Sequence, residues 1–201
     1  MIISHKHKFI FIKTLKTAGT SLEIFLSQHC GRRDVVTPIH PHVEPHRARN
    51  HNGFFNHIPA SAVKKQLPLE VWNHYFKFCI ERNPWDKTLS HYWMERFRAT
   101  GELSFDSYLS KGEFPMNHPL YTDPKTSEVM VDRIVRYENL MDELGEIFLH
   151  LGIPFNGSLN ANAKGDYRLD RRHYREVYTP EQRKIIENAF TSEISTHGYQ
   201  F

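Results

Sequence analysis

The stretch from Lys8 to Gln28 reads KFIFI-KTLKTAG-TSLEIFLSQ and falls into three parts. Lys8–Ile12 is a short apolar run, which is typical of a buried strand. Lys13–Gly19 has few bulky side chains and carries two lysines. Thr20–Gln28 places its apolar residues at helical spacing. The stretch therefore predicts a strand, a short basic loop and a helix.

The same alternation continues along the chain. Further strands are predicted at Tyr75–Glu81 and Arg133–Tyr137, and each is followed by a helical pattern. Strands that alternate with helices favour an α/β fold with a central, mostly parallel sheet flanked by helices. Because 201 residues suffice for one domain with a full core, we predict a single P-loop-like domain over residues 1–201.

Composition excludes several classes of protein. Lys and Arg number 26 against 23 Asp and Glu, so the net charge of +3 gives no reason to expect a nucleic-acid partner. Two cysteines, Cys30 and Cys79, are too few for a disulfide scaffold or a four-cysteine zinc module, and the sequence leaves open whether they pair. No apolar run approaches the roughly 18–20 residues of a membrane span, so we expect no membrane partner and a cytoplasmic location.

The loop after the first predicted strand has the features of an anion-binding site. Backbone N–H groups and the N-terminus of the following helix favour negative charge. Lys16 adds a full positive charge, and Thr17, Thr20 and Ser21 add hydroxyl donors. Gly19 allows the backbone to approach the anion closely.

The string KTAGTS at Lys16–Ser21 does not follow the Walker A pattern, because its lysine precedes the glycine and a leading glycine is missing. It resembles the 5′-phosphosulfate loop of sulfotransferases that use PAPS (3′-phosphoadenosine 5′-phosphosulfate), in particular the carbohydrate sulfotransferases and their bacterial relatives. The resemblance implies that Lys16, Thr17, Ala18, Gly19, Thr20 and Ser21 bind this cofactor. Thr14 and Leu15 stand where that branch often has Ile-Pro.

A second motif follows the second predicted strand. Arg82–Tyr92 reads RNPWDKTLSHY and resembles the 3′-phosphate motif of the same family. Arg82 offers a planar donor fork suited to a phosphate, and Ser90 lies about two helical turns further on. The alternative is that Arg82 pairs with a structural acid. The dipeptide Lys164-Gly165 is weakly similar to the Lys-Gly of the loop that closes over the 3′-phosphate in other sulfotransferases, so Lys164 is a candidate cofactor contact.

Five of the 14 histidines fall between residues 40 and 57. Their spacing matches no zinc motif, so we expect no metal site. His57 begins the segment HIPA, which resembles a segment of the carbohydrate sulfotransferases. An imidazole titrates near neutral pH, so His57 is the candidate general base, and Lys16 is the candidate group at the departing phosphate oxygen.

These features together predict a sulfotransferase that moves a sulfuryl group from PAPS to an acceptor hydroxyl on a carbohydrate and releases 3′-phosphoadenosine 5′-phosphate (PAP). Two alternatives stay open. One is a P-loop kinase using ATP and magnesium, and the other is a non-catalytic polyanion-binding module. The sequence does not indicate the oligomeric state.

Overall fold

The computed structural model describes residues 1–160 and 167–201. Its contacts divide the chain into two compact units, which are described separately. The first unit comprises Met1–Glu81 and Asn117–Ala163, and the second comprises Arg82–Met116 and Lys164–Phe201. That residues 1–201 form one sulfotransferase domain stays a prediction.

The described helices and strands alternate through much of the chain. In chain order, the strands are β1 (Ile2–Ser4), β2 (Phe9–Phe11), β3 (Val35–Val36), β4 (Phe76–Glu81) and β5 (Arg133–Arg136). The helices are α1 (Gly19–His29), α2 (Ala60–Gln66), α3 (Leu69–His74), α4 (Pro84–Arg98), α5 (Phe105–Lys111), α6 (His118–Tyr121), α7 (Leu140–Leu151), α8 (Pro180–Ala189) and α9 (Thr191–His197).

The five strands form one sheet in the first unit, in the order β3-β1-β2-β4-β5. Strands β2, β4 and β5 are parallel, which confirms the predicted α/β fold and its three predicted strands. Strand β1 runs antiparallel to β2 and to β3, and the sequence did not predict this side of the sheet. β1 and β3 have only three and two residues, too few to show an alternating pattern.

The alternation of side chains along β2 gives the first unit a core on each face of the sheet. Phe9 and Phe11 are buried with Leu22 of α1 and Phe148 of α7. Ile10 points to the opposite face and is buried with residues of α2 and α3. Each such side chain contributes about 1.5–3 kcal/mol through its burial. The loop between β2 and α1 is thus held at both ends by buried elements.

The second unit has an aromatic core. Trp85, Tyr92 and Tyr108 are buried with Tyr178 and Phe190. Helix α4 begins at Pro84, and the Asn83 side chain accepts hydrogen bonds from the first N–H groups of the helix. A capping box begins α8, in which the Thr179 and Gln182 side chains each bond to the backbone of the other residue.

Within residues 1–160 and 167–201, no helix combines the length and the apolar character needed to cross a bilayer. Cys30 and Cys79 are both free thiols, so the two cysteines do not form a disulfide.

Candidate functional site

The loop between β2 and α1 adopts an unusual backbone conformation. Lys16 and Ala18 both have φ values of 59°, in the left-handed region that non-glycine residues rarely occupy. Ala18 precedes the first residue of α1, and its ψ of 16° completes a left-handed turn. In general, a left-handed residue next to a right-handed one can direct successive N–H groups to one side, the concave arrangement that binds anions. Such strain commonly marks a functional site.

Hydrogen bonds fix the start of this loop. The Thr14 hydroxyl lies 2.8 Å from the Thr17 hydroxyl and donates to the main-chain oxygen of Ile80 at 2.5 Å. The Leu15 N–H donates to the Asn117 side-chain oxygen at 2.7 Å. The buried Thr17 hydroxyl is thus engaged inside the loop. Asn117 lies 102 residues from Leu15 in the chain, and no sequence pattern indicated this contact.

The two lysines of the loop have different environments. Lys16 is half-buried, in the left-handed turn. Lys13 is only 2% exposed, and its Nζ lies 2.5 Å from Glu23 Oε2. Glu23 is fully buried on α1 and also contacts the amine of Met1. Burial alone would raise the pKa of Glu23, but these two cations hold it below its ordinary value. Lys13 is therefore engaged in a buried ion pair, whereas Lys16 is only half-buried.

His57 is brought to the same loop. Its Nδ1 lies 3.1 Å from the main-chain oxygen of Lys13. A carbonyl oxygen can only accept, so Nδ1 carries the proton in the neutral ring and Nε2 holds the free electron pair. Burial, reinforced by the positive charge of Lys13, lowers the pKa of His57 to about 4. The ring is therefore neutral at pH 7 and able to accept a proton at Nε2.

In the second unit, Arg82 is bound to an acid of the helix that follows it. Its Nε and Nη2 donate to Asp86 Oδ2 at 2.9 and 2.6 Å. Arg168 Nη1 donates to the other oxygen of Asp86 at 2.8 Å. Burial alone would raise the pKa of Asp86, but the two guanidinium groups hold it below its ordinary value. Asp86 is thus the structural acid that the sequence analysis gave as the alternative partner of Arg82. Its carboxylate binds both Arg82 and Arg168.

Ser90 and Lys164 complete the predicted set of residues. Ser90 is half-buried on α4, in the second unit with Arg82. Lys164 lies outside the described residues. The structure thus brings His57 to Lys13, at the start of the loop between β2 and α1, and it places Arg82 and Ser90 on one segment of the second unit.

The remaining histidines of the 40–57 region have separate environments. His46 is 1% exposed, and neither ring nitrogen has a hydrogen-bond partner. His42 is exposed and lies 3.0 Å from a carboxylate oxygen of Glu44. No group of three or more histidine, cysteine or acidic side chains suited to a metal occurs in the part of the chain that the structure describes.

A cavity of about 790 Å³ opens beside the second half of α1. Its lining includes the apolar residues Phe25, Phe155 and Leu159 and the polar residues Gln28 and Glu44. None of the predicted site residues lines it, so this cavity is not part of the anion-binding loop.

Comparison with known proteins gives a relative by sequence and likenesses by structure, of which one of each is described. No family model matches the chain. An uncharacterized protein of Archaeoglobus fulgidus is 32% identical over 117 residues, which cover 55% of this chain and 98% of that protein. The chain belongs to the same family as this archaeal protein. No activity is described for that relative, so the shared family does not itself assign a reaction.

The structural likeness is to mouse sulfotransferase SULT7A1, whose crystal structure contains PAP. The TM-score is 0.56 at 16% identity, and the match covers 98% of this chain and 87% of the mouse protein. The protein therefore has the sulfotransferase fold predicted from KTAGTS and RNPWDK. The predicted carbohydrate branch is not tested by this likeness.

Proposed function

We propose that the protein is a PAPS-dependent sulfotransferase that acts on a carbohydrate hydroxyl. One observation supports the proposal: the loop between β2 and α1 has left-handed residues at Lys16 and Ala18, and His57 is hydrogen-bonded to Lys13 at the start of this loop. An anion cradle with an adjacent proton acceptor suits transfer of a charged group to a hydroxyl. The sulfotransferase fold supports the same interpretation.

The proposed reaction is an in-line displacement at sulfur. The acceptor oxygen forms a bond to sulfur, and its proton passes to His57 Nε2. The bond between sulfur and the bridging phosphate oxygen breaks, and its electron pair stays on the 5′-phosphate of the released PAP. Lys16 stabilises the negative charge that develops on this oxygen, where a positioned cation acts most strongly in the transition state.

Cofactor binding is assigned in two parts. Backbone N–H groups of the Lys16–Ser21 loop, with the Thr20 and Ser21 hydroxyls, would hold the 5′-phosphosulfate. Arg82 and Ser90, with Lys164 as a further contact, would hold the 3′-phosphate, as the resemblance of Arg82–Tyr92 to the family's 3′-phosphate motif implies. Asp86 would keep the Arg82 fork oriented.

Nucleotide-dependent stabilisation separates this proposal from its alternatives. A ligand at about 100 times its dissociation constant stabilises the folded state by roughly 2.7 kcal/mol. We expect PAP to raise the melting temperature, while ATP with magnesium does not. Stabilisation by ATP with magnesium alone would support a kinase, and stabilisation by neither nucleotide would support the polyanion-binding module.

The activity itself is tested by transfer of ³⁵S-labelled sulfate from PAPS. Monosaccharides and oligosaccharides are the expected acceptors, and a simple phenol and a tyrosine peptide serve as the comparison. Labelling of the phenol or peptide alone would reject the carbohydrate assignment and retain sulfuryl transfer. No labelling of any acceptor by a protein that binds PAP would argue against the enzyme.

A further inference from the structure

Lys13 lies between His57 and the Lys16–Ser21 loop, which is called the phosphate loop below. Its side chain packs beside the loop, and its main chain contacts His57. The side chain passes directly beside Gly19. A Cβ added at Gly19 would meet Lys13 Cγ at 2.9 Å and Cε at 3.3 Å. Real Cβ atoms essentially never approach another atom within 3.0 Å, so the lysine stem occupies the space that any larger residue at position 19 would need.

The far end of the same side chain is fixed on α1. Nζ contacts Glu23, and both side chains are almost completely buried. The Thr37 hydroxyl lies 3.4 Å from Glu23 Oε1, so the carboxylate is held from several sides. Two charges buried together seldom stabilise a fold more than apolar side chains of similar size would. The stability of the fold does not therefore explain why an ion pair occupies this place.

The main chain of Lys13 contacts His57. Its carbonyl oxygen accepts from His57 Nδ1 at 3.1 Å. This bond selects the tautomer with Nε2 free. His57 itself has a φ of 59°, so its backbone is held in a left-handed conformation just before α2. One residue thus contacts both the loop glycine and the imidazole.

We propose that Lys13 is a positioning residue that couples the phosphate loop to the general base. Its stem, anchored on Glu23, supports the loop at Gly19, and its carbonyl keeps His57 in the Nδ1–H tautomer. This inference rests on the proposed function, because it takes His57 as the base and the loop as the cofactor site.

The test is an NMR measurement of the His57 ring in the ligand-free protein, with ¹⁵N-labelled histidine and His57→Gln to assign the signal. The test variant is Lys13→Met, which keeps an apolar stem and removes the charged end. Lys77→Met is the matched control, because Lys77 is also a buried lysine of this sheet and pairs with Asp132 at 2.9 Å. Both variants remove a buried ammonium group from an ion pair, but the partner of Lys77 is 45% exposed whereas Glu23 is fully buried. Lys13 is the lysine whose main chain contacts His57.

Lys13→Met keeps the main-chain carbonyl but loses its anchor on Glu23, so we expect this carbonyl to shift away from His57 Nδ1 and the Nε2–H tautomer to appear. We expect the pKa of His57 to rise towards its ordinary value, because the positive charge of Lys13 is removed. We also expect kcat to fall on the order of 10²-fold, the effect of a small misplacement of reacting groups. Lys77→Met should keep the wild-type tautomer, pKa and kcat. If Lys13→Met also keeps the wild-type tautomer and pKa, or if both variants change them equally, the positioning role is rejected.

Gly19→Ala provides a second test if Lys13→Met does not fold. The added methyl group would press on Lys13 Cγ, so the His57 ring signal should change although His57 is not the mutated residue. An unchanged ring signal in folded Gly19→Ala would contradict the coupling. Because the NMR measurement needs no PAPS, failure of sulfate transfer in the wild type would reject the proposed function without deciding this inference.

Discussion

The Nδ1 atom of His57 lies 3.1 Å from the main-chain oxygen of Lys13. This relationship settles which ring nitrogen carries the proton, since a carbonyl oxygen has none to give. It also places the imidazole beside Lys13, whose side chain is a buried cation. The positive charge of Lys13 makes protonation of the imidazole unfavourable.

The pH dependence of catalysis should reflect this environment. Because burial and Lys13 lower the pKa of His57 to about 4, kcat/KM should decline only as the pH approaches 4. The sequence alone led us to expect about 6.5, the value of an unperturbed imidazole. His57→Ala should lose roughly 10²–10⁴ in rate together with this acidic limb, and keep its affinity for PAP.

His57→Gln is the companion variant, because its amide can form hydrogen bonds of similar reach but cannot take a proton. We expect it to be as inactive as His57→Ala. An active His57→Ala that keeps the acidic limb would assign the base elsewhere, with His51 the next residue to test.

The free energy of unfolding should decrease as the pH falls from 7 to 4. The pKa of His57 is about 4 in the folded protein and about 6.5 in an unfolded chain, so the folded state binds fewer protons between these values. Burial also lowers the pKa of His46, which acts in the same direction. At about 1.4 kcal/mol per pKa unit, His57 alone should reduce the free energy of unfolding by up to about 3 kcal/mol between pH 7 and 4.

Urea unfolding at pH 7, 5.5 and 4 measures this loss. His57→Gln should show a smaller decline than the wild type, because the variant side chain does not titrate. Equal declines in the two proteins would mean that His57 has the same pKa in the folded and unfolded states.

Lys16→Ala should affect turnover more than product binding. A cation at the departing oxygen acts where charge develops, so kcat should fall by at least about 10²-fold while the dissociation constant of PAP changes far less. Single-turnover assays and calorimetry measure the two quantities separately. A collapse of PAP affinity with normal kcat would make Lys16 an anchor for the cofactor only. Lys13, the other lysine of the loop, is engaged with Glu23, so it is not the next candidate.

Arg82→Ala should weaken PAP binding by about 1.5–3 kcal/mol, the range for hydrogen bonds to charged groups. The loss should largely vanish for the nucleotide without a 3′-phosphate. Arg168→Ala is the matched control, because it removes the other guanidinium from Asp86 without being assigned a phosphate contact. Equal losses for both nucleotides in Arg82→Ala would mean that the arginine only supports α4.

The buried pair of Lys87 and Glu193 offers a test of stability in the second unit. Both side chains are fully buried, and their charged atoms lie 3.9 Å apart. Glu193→Leu removes the carboxylate that faces the buried ammonium group of Lys87. The free energy of unfolding should therefore fall by about 3–5 kcal/mol. The double variant Lys87→Met with Glu193→Leu should recover most of this loss, as thermal unfolding of the three proteins can show. A double variant as unstable as Glu193→Leu would contradict this account.

The sequence predicted best what depends on neighbours in the chain. Strand β2, the following loop and α1 are local patterns, and the resemblance of KTAGTS correctly indicated the sulfotransferase fold. The pairing of Arg82 with Asp86 was also within reach, because the two residues lie four apart at the start of a helix.

What the sequence did not predict depends on long-range contacts. No local pattern pairs Leu15 with Asn117, and a buried lysine looks the same in sequence as an exposed one. Lys13 and Lys16 were thus chemically equivalent candidates until their surroundings were known. The lowered pKa of His57 has the same origin, since it depends on burial and on a residue 44 positions away.

The two free thiols have a practical consequence for experiments on this chain. Burial raises the pKa of Cys30 to about 12 and that of Cys79 well above its ordinary value, so neither is a thiolate at neutral pH. Only the thiolate reacts readily with alkylating reagents. A cysteine introduced at an exposed position would therefore be labelled selectively in the native protein, without first replacing the two natural residues. Spectroscopic probes can thus report on the loops while the wild-type core is left intact.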